Sequence, residues 1–323
     1  MNDDQKRLVL APAPHLRGRA SIAKDMYIVL VALLFPTLGA VYFFGLYVLL
    51  MLAAAIITAI LTEYVAKLMR RRPFWMDGSA LVTAVLFVLV LPPRTPLWIV
   101  AVGSMFSIAI VKEAFGGLGH NIFNPALAGR AVVAVSFAGA VGNWISPTTS
   151  WLADGITTAT PLSEGYLAPV GKAELYQRLF LGNVGGSAGE TSVLLILIGA
   201  AILLAFGLIK WQVPVCYIGT VFLLSWLLGE DPLFQILAGG LMLGAFFMAT
   251  DYVTTPITTL GKIIFSVGAG ILVVLIRLFG NLPEGVAYSI LLMNAVTPLI
   301  DRYVRPKPYG YVPSRHKGAE AGG

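Results

Sequence analysis

Ten apolar segments run along the chain, at 26–43, 45–66, 78–92, 96–115, 123–142, 191–209, 212–229, 233–250, 262–280 and 284–300. Most approach the roughly 20 residues that a helix needs to cross a hydrocarbon core. Inside lipid a crossing segment must satisfy its own backbone hydrogen bonds, so segments of this kind become helices. Hydrophobic residues make up 58% of the chain and charged ones only 12%, too few to cover a water-facing surface. The sequence therefore predicts an all-α polytopic membrane protein with about ten transmembrane helices and little left for a water-soluble core. Breaks between segments fall on turn chemistry: Phe44-Gly45, Arg70-Arg71-Arg72-Pro73, Pro92-Pro93, Gly116-Gly117, Lys210, Glu230-Asp231-Pro232, Pro256 and Pro283-Glu284-Gly285.

This divides the chain into an N-terminal segment (1–25), helices one to five (26–142), a long loop (143–190), helices six to ten (191–300) and a basic tail (301–323). Residues 1–25 carry Lys6, Arg7, Arg17, Arg19 and Lys24 and no cleavable secretory signal, so the N-terminus is expected in the cytoplasm. Ten crossings return the C-terminus to the same side. With that topology 18 of the 22 Lys and Arg residues fall on cytoplasmic segments, and only Arg94, Lys172, Arg178 and Arg277 fall outside. The net charge of +6 is thus a matter of topology rather than of nucleic-acid binding. A bacterial inner membrane is the expected location, with loop 143–190 on the external, periplasmic face.

The spans also read as two related halves of five. Spans three and eight are both short and flanked by breakers, Asp77-Gly78 to Pro92-Pro93 and Gly239-Gly240 to Asp251 and Pro256. Span five carries Asn124-Pro125-Ala126 and Arg130; span ten carries Asn294, Pro298 and Asp301. Two five-span halves must insert with opposite orientation, the inverted-repeat arrangement of many transport proteins. Gly240 and Gly244 have the spacing of a helix-association pair, and Ser266, Gly268 and Gly270 thin another helix face.

Several chemistries are excluded. The single cysteine, Cys216, can form neither an internal disulfide nor a four-ligand metal or iron–sulfur site. His15, His120 and His316 lack ligand spacing and are read as non-ligands. There is no Walker motif, no GxSxG elbow and no HExxH pair, which argues against an ATPase, an esterase or a metalloprotease.

The most informative stretch is Asp154-Gly155-Ile156-Thr157-Thr158-Ala159-Thr160-Pro161, in the middle of the long loop. Asp-Gly favours a turn and Pro161 pushes Thr160 toward an extended conformation, which presents its hydroxyl to solvent. By itself this is also what an ordinary Ser/Thr-rich loop looks like. The stretch resembles, however, the flavinylation motif (Asp-Gly-x-Ser/Thr-x-Ala-Thr) of the membrane-subunit family that includes RnfD, of the ferredoxin-oxidising Rnf complex, and NqrB, of the sodium-pumping NADH:quinone oxidoreductase. Other segments resemble the family in order: Pro14-His15 followed by Ser21, Asp77 to Ala84 through Leu91-Pro92-Pro93, Gly119-His120-Asn121-Ile122-Phe123-Asn124-Pro125-Ala126 with Arg130, Gly189-Glu190-Thr191-Ser192, and Phe247 to Asp251 through Thr255-Pro256. The short N-terminal segment is more similar to the RnfD branch.

The resemblance implies covalent FMN, attached through a phosphoester to Thr160 by a flavin transferase working on the outer face, with Asp154, Gly155, Thr157, Thr158 and Ala159 as its recognition context. Thr157-Thr158 stands where Ser-Gly is frequent, and a branched residue there could slow the transferase. The resemblance also leaves room for a second, non-covalent flavin, and nothing in the sequence locates it. The resemblance further implies a fold similar to urea transporters, and electron relay to other complex subunits, of the A, B, C, E and G type, coupled to movement of sodium ions or protons. Asn124 reads either as a helix cap beside a glycine-rich turn or as part of a helix start that holds an anion or a polar ring edge. Arg130, one and a half turns into span five, needs a partner, either an acidic side chain or a flavin phosphate. Asp251 and Asp301 lie at span ends where water can solvate them, as topological acids or parts of an ion path; Glu63, Lys112 and Glu113 share that ambiguity. Rival readings are a urea-transporter-like permease without a redox cofactor, and a subunit that only anchors redox partners.

Overall fold

The structure, a computed structural model, describes residues 21–142, 144, 147, 162, 171–280 and 285–305. Every regular element among them is helical: α1 (Ile22–Phe44), α2 (Tyr47–Met69), α3 (Ser79–Leu89), α4 (Leu97–Phe106), α5 (Pro125–Ser136), α6 (Ala138–Val141), α7 (Lys172–Leu181), α8 (Val193–Ala205), α9 (Gln212–Leu227), α10 (Pro232–Leu237), α11 (Leu241–Leu243), α12 (Thr259–Phe279) and α13 (Gly285–Tyr303). Two helices widen into π geometry, α4 over Ser107–Glu113 and α11 over Gly244–Met248. Each apolar segment contains helix, but they are not ten uniform rods. By length and composition α1, α2 and α12 can each cross a membrane alone, while α3, α5, α8 and α9 are shorter apolar helices.

Local chemistry accounts for the shortening. Gly78, at φ 83°, starts α3, and the chain leaves it through the Pro92-Pro93 turn, where Thr95 Oγ1 donates to the Pro92 carbonyl at 2.8 Å. Segment 233–250 splits because Gly239 and Gly240 both take positive φ, 67° and 69°, which a residue with a Cβ rarely adopts. The expected Gly240–Gly244 helix pair is therefore corrected. Gly240 is the N-cap rather than a residue of the helix, and Gly244 is the one packed against another helix, where a Cβ would collide with Val286.

The helix ends gather at two faces of the bundle. At one, Ala188 and Gly189 donate to the carbonyls of Leu91 and Leu89 at 2.9 and 2.7 Å, and Tyr47 Oη donates to Thr95 O at 3.3 Å. At the other, Arg70 reaches Glu113, Tyr252 Oη donates to Leu208 O, and Ile257 N–H donates to Asp301 Oδ1 at 3.1 Å. The start of α1 and the end of α13 both belong to this second face. Within the first five segments α2 packs on α1, α3 and α4; within the last five α9 packs on α10 and α12, and α12 on α13. The two sets join through α1 against α8 and α5 against α13. Gly199 permits the first junction, since a Cβ there would strike the Ala32 carbonyl. The buried core includes Phe87, Tyr217 and Phe265, and the outer faces of α1 and α2 expose Leu34, Leu38, Ile57, Leu61 and Leu68, the apolar surface that lipid solvates.

The end of α2 is unusual. Arg71 N–H donates to Leu68 O at 3.0 Å and Arg72 N–H to Lys67 O at 2.9 Å, the paired bonds that close a helix through a left-handed residue. That residue is normally glycine or asparagine; here it is Arg71, with φ 53°. A side chain in this conformation costs roughly 1–2 kcal/mol.

Candidate functional site

Asn124 begins α5 with its side-chain oxygen accepting from the N–H groups of Ala126 and Leu127 at 3.1 and 3.3 Å, while Pro125 occupies a position whose N–H would have no helical partner. Its amide nitrogen donates to Met248 O at 3.4 Å. Asn294 of α13, with its amide oriented so that both polar atoms are paired, accepts from the Asn124 backbone N–H at 3.1 Å and donates to Ile290 O at 3.3 Å. The two asparagines singled out in spans five and ten thus meet, and they tie α5, α11 and α13 together.

Arg130, in the next turn of α5, is buried beside a small cavity shared with Glu190, Gly239, Gly240 and Met248. Glu190 lies in the electrostatic field of both Arg130 and Arg277. Gly240 makes room for it, because a Cβ would overlap the Glu190 carboxylate. Arg277, near the end of α12, spends its guanidinium on carbonyl oxygens: Nη1 donates to Gln235 O and Oε1 at 2.5 and 3.0 Å, and Nη2 to Ala238 O and Gly239 O at 2.9 and 3.1 Å. It caps the broken end of α10, whose last carbonyls have no helical donors.

At the opposite face lies a cleft bounded by α1, α3, α5, α8 and the turn after α11. Its lining is apolar apart from a few groups, among them Ser79, Lys112, Asn121, Asn124 and Asp251. Lys112, 2% exposed, donates to Glu63 Oε1 at 3.0 Å and to Ser79 Oγ at 2.6 Å; Lys67 reaches the same Glu63 oxygen at 2.7 Å. Ser79 in turn donates through Oγ and N–H to Asp77 Oδ1 at 2.5 and 2.9 Å. Burial works to raise the Asp77 carboxyl, but the Ser79 bonds and the charges of Lys112 and Lys67 outweigh it and hold the group below the ordinary carboxylate range. Neighbouring Glu113 pairs instead with Arg70 at 3.3 Å. Asp251, expected to be solvated at a span end, is half-buried in the cleft wall and accepts from Val253 N–H and Thr254 Oγ1, both at 3.3 Å. Asp301 is half-buried as well and caps the turn at Ile257.

Asp154, Gly155, Thr157, Thr158, Ala159 and Thr160 lie outside the described residues. Leu162, two residues past Thr160, is described and rests against Gly239 and the cluster of Leu175, Leu179, Val184 and Ala238. The same cluster seats amphipathic α7, whose Tyr176 hydroxyl donates to Asp231, the N-cap of α10. Leu162, α7, Gly239 and Arg277 therefore share the face opposite the cleft.

The chain matches the family model described as the NQR2, RnfD, RnfE family over residues 9–310. The chain belongs to this family. Among curated members it is 46% identical over 317 residues to the D subunit of the proton-translocating ferredoxin:NAD(+) oxidoreductase complex of Clostridium ljungdahlii, covering 93% of this chain and 96% of that protein. It is 43% identical over 310 residues to the D subunit of the Na(+)-translocating ferredoxin:NAD(+) oxidoreductase complex of Acetobacterium woodii, covering 95% and 96%. It is 40% identical over 329 residues to the D subunit of the ion-translocating oxidoreductase complex of Stutzerimonas stutzeri, covering 90% and 93%. The resemblance to the RnfD branch is thereby shown.

For this member of the NQR2, RnfD, RnfE family, sequence reasoning had placed Arg277 only as an external charge and passed over the Tyr176–Asp231 contact. An arginine near a span end facing a Gly-Gly break was the available signal for the first. Nothing local marks the second, since its partners lie far apart in sequence.

Proposed function

We propose that the chain is the electron-carrying membrane subunit of an ion-translocating oxidoreductase of the ferredoxin:NAD type, holding FMN in phosphoester linkage to Thr160. The observation that carries this reading is the Asp154-to-Thr160 motif, in a chain 46% and 43% identical to D subunits of such complexes. Bound flavin supplies the one- and two-electron chemistry. Among the chain's own residues, Arg277 holds the α10–α11 break in place.

The cleft opposite, by its Asn121, Asn124 and Lys112 lining, is our candidate for a second, non-covalent flavin. We read the bundle as ten crossings in two inverted halves. The junctions α1 on α8 and α5 on α13 support this, since they pair topologically equivalent helices as a two-fold relation requires. We place the chain in a bacterial inner membrane with both termini cytoplasmic and loop 143–190 external, an orientation that the distribution of Lys and Arg supports. Partner subunits of the A, B, C, E and G type, and a flavin transferase for maturation, complete the proposal; whether sodium ions or protons move is left to the whole complex.

The test is denaturing electrophoresis of protein from cells with an active transferase. A fluorescent band present in the native chain and absent from Thr160→Ala is expected. Identical bands without fluorescence would remove the redox assignment and favour the permease reading, whereas equally fluorescent bands would move the attachment away from Thr160.

A further inference from the structure

Between α2 and α3 the chain runs Arg70-Arg71-Arg72-Pro73-Phe74-Trp75-Met76, and the three arginines are used differently. Arg70 is committed to Glu113, through its carboxylate at 3.3 Å and its carbonyl at 2.7 Å. Arg72 gives one nitrogen to Gly116 O at 3.2 Å, and its side chain remains exposed. The Arg71 side chain is exposed and makes no hydrogen bond or ion pair among the described residues. Yet it occupies the left-handed position that closes α2, where glycine would be unstrained. A strained arginine without an internal partner points to a ligand outside the chain.

The surroundings define that ligand. Lys67 holds the segment in place, donating to Trp75 O at 3.4 Å and lying 5.3 Å from the centre of the Phe74 ring, which packs edge-on against Tyr64. Trp75 is left 73% exposed and Met69 80% exposed, so large apolar groups flank the two arginines. Exposed Ile57, Leu61, Val65 and Leu68 lead down α2 at three- and four-residue spacing, one continuous apolar face ending at Arg71 and Arg72. A molecule that meets this surface needs long apolar chains joined to a negatively charged head at the depth where an indole ring settles.

We propose that Arg71 and Arg72, together with Trp75 and the outer face of α2, bind an anionic phospholipid, its phosphate between the guanidinium groups and its acyl chains along Ile57 to Leu68. Arg71 supplies a charge that glycine could not, which accounts for an arginine at this backbone position.

The test compares the full-length native chain with Arg71→Gly and with Arg71→Gly/Arg72→Gln in detergent, adding phosphatidylglycerol or phosphatidylcholine. Retained lipid is counted by native mass spectrometry, and thermal unfolding is followed in parallel. The native chain is expected to prefer phosphatidylglycerol. Retention should fall roughly five-fold in the single variant and twenty-fold in the double one. Arg71→Gly should meanwhile unfold at a higher temperature than the native chain in lipid-free detergent, because the backbone strain is gone. Unchanged phosphatidylglycerol retention in the variants would overturn the proposal, as would a native chain without headgroup preference. Variants that keep their lipid but no longer co-purify with other subunits would assign the patch to a protein interface instead.

Discussion

The backbone N–H of Asn124 donates to the side-chain oxygen of Asn294, 3.1 Å away, joining the first turn of α5 to the middle of α13. Asn294 is fully buried, so Asn294→Ala leaves that N–H without an acceptor and should cost about 1–3 kcal/mol. Asn124→Ala loses the cap, about 1 kcal/mol, whereas Asn124→Ser keeps a capping oxygen and should unfold between native and alanine forms. Thermal unfolding in detergent checks the order; a serine variant no better than alanine would mean that the cap contributes nothing.

Glu63 takes two ammonium groups on one oxygen, from Lys67 and Lys112. Glu63→Gln leaves two lysines facing each other in a buried site and should destabilise by about 3–5 kcal/mol. Lys112→Met leaves Glu63 paired with Lys67 and should cost clearly less. Equal losses in the two variants would contradict the shared arrangement.

Gly240→Ala combines two penalties, a Cβ at φ 69° and overlap with the Glu190 carboxylate. The first persists in any background; the second vanishes when Glu190 is shortened. A double-mutant cycle with Glu190→Ala should return a favourable coupling of about 0.5–3 kcal/mol, and strict additivity would show that the two residues do not compete for space.

Docking of α7 should depend on pH. Burial opposes ionisation of Asp231, but hydrogen bonds from Tyr176 and Phe234 and the charge of Lys172 together outweigh it and lower its carboxyl below the ordinary 3.8. A depressed carboxylate contributes stability that is present above the unfolded value and lost as pH falls through the folded one, so the contact should loosen below about pH 4. Tyr176 shifts upward, chiefly through its bond to Asp231, so its contribution holds below the unfolded value and is lost as pH rises through the folded one, above its ordinary 10. Tyr176 and Asp231 are only half-buried and Lys172 is exposed, so solvent screening should keep the effect under about 1 kcal/mol. Hydrogen exchange of α7 amides against pH measures it, and Asp231→Asn should flatten the acid limb.

Much of the helical layout was readable because its causes are local. Gly45 and Gly78 end or start helices at positive φ, and Asp231-Pro232 is a cap followed by a first-turn proline. The need of Arg130 for a nearby charge was legible for the same reason, as bare charge in a membrane is costly. That Glu190 supplies it was not, since the pair depends on how α5 meets the turn before α8. The split of segment 233–250 was hidden by its uniform apolarity, which carries no phase, and π geometry leaves no trace in a hydropathy pattern. The capping role of Arg277 went unread because most of its acceptors are backbone carbonyls, which no side-chain pattern reveals.

The wide turn that closes α4 carries one residue more than an α-helical turn would. Ala114 N–H accordingly reaches back five residues to Ala109 O, at 2.9 Å. Were the same residues to close in ordinary α-helical register, each one past the wide turn would advance by one position, about 100° around the axis. Lys112 would then leave Glu63 and Ser79, and Glu113 would leave Arg70, although every side chain involved was still encoded. The extra residue held in this turn, and not the order of polar groups alone, sets the direction in which the two charges face.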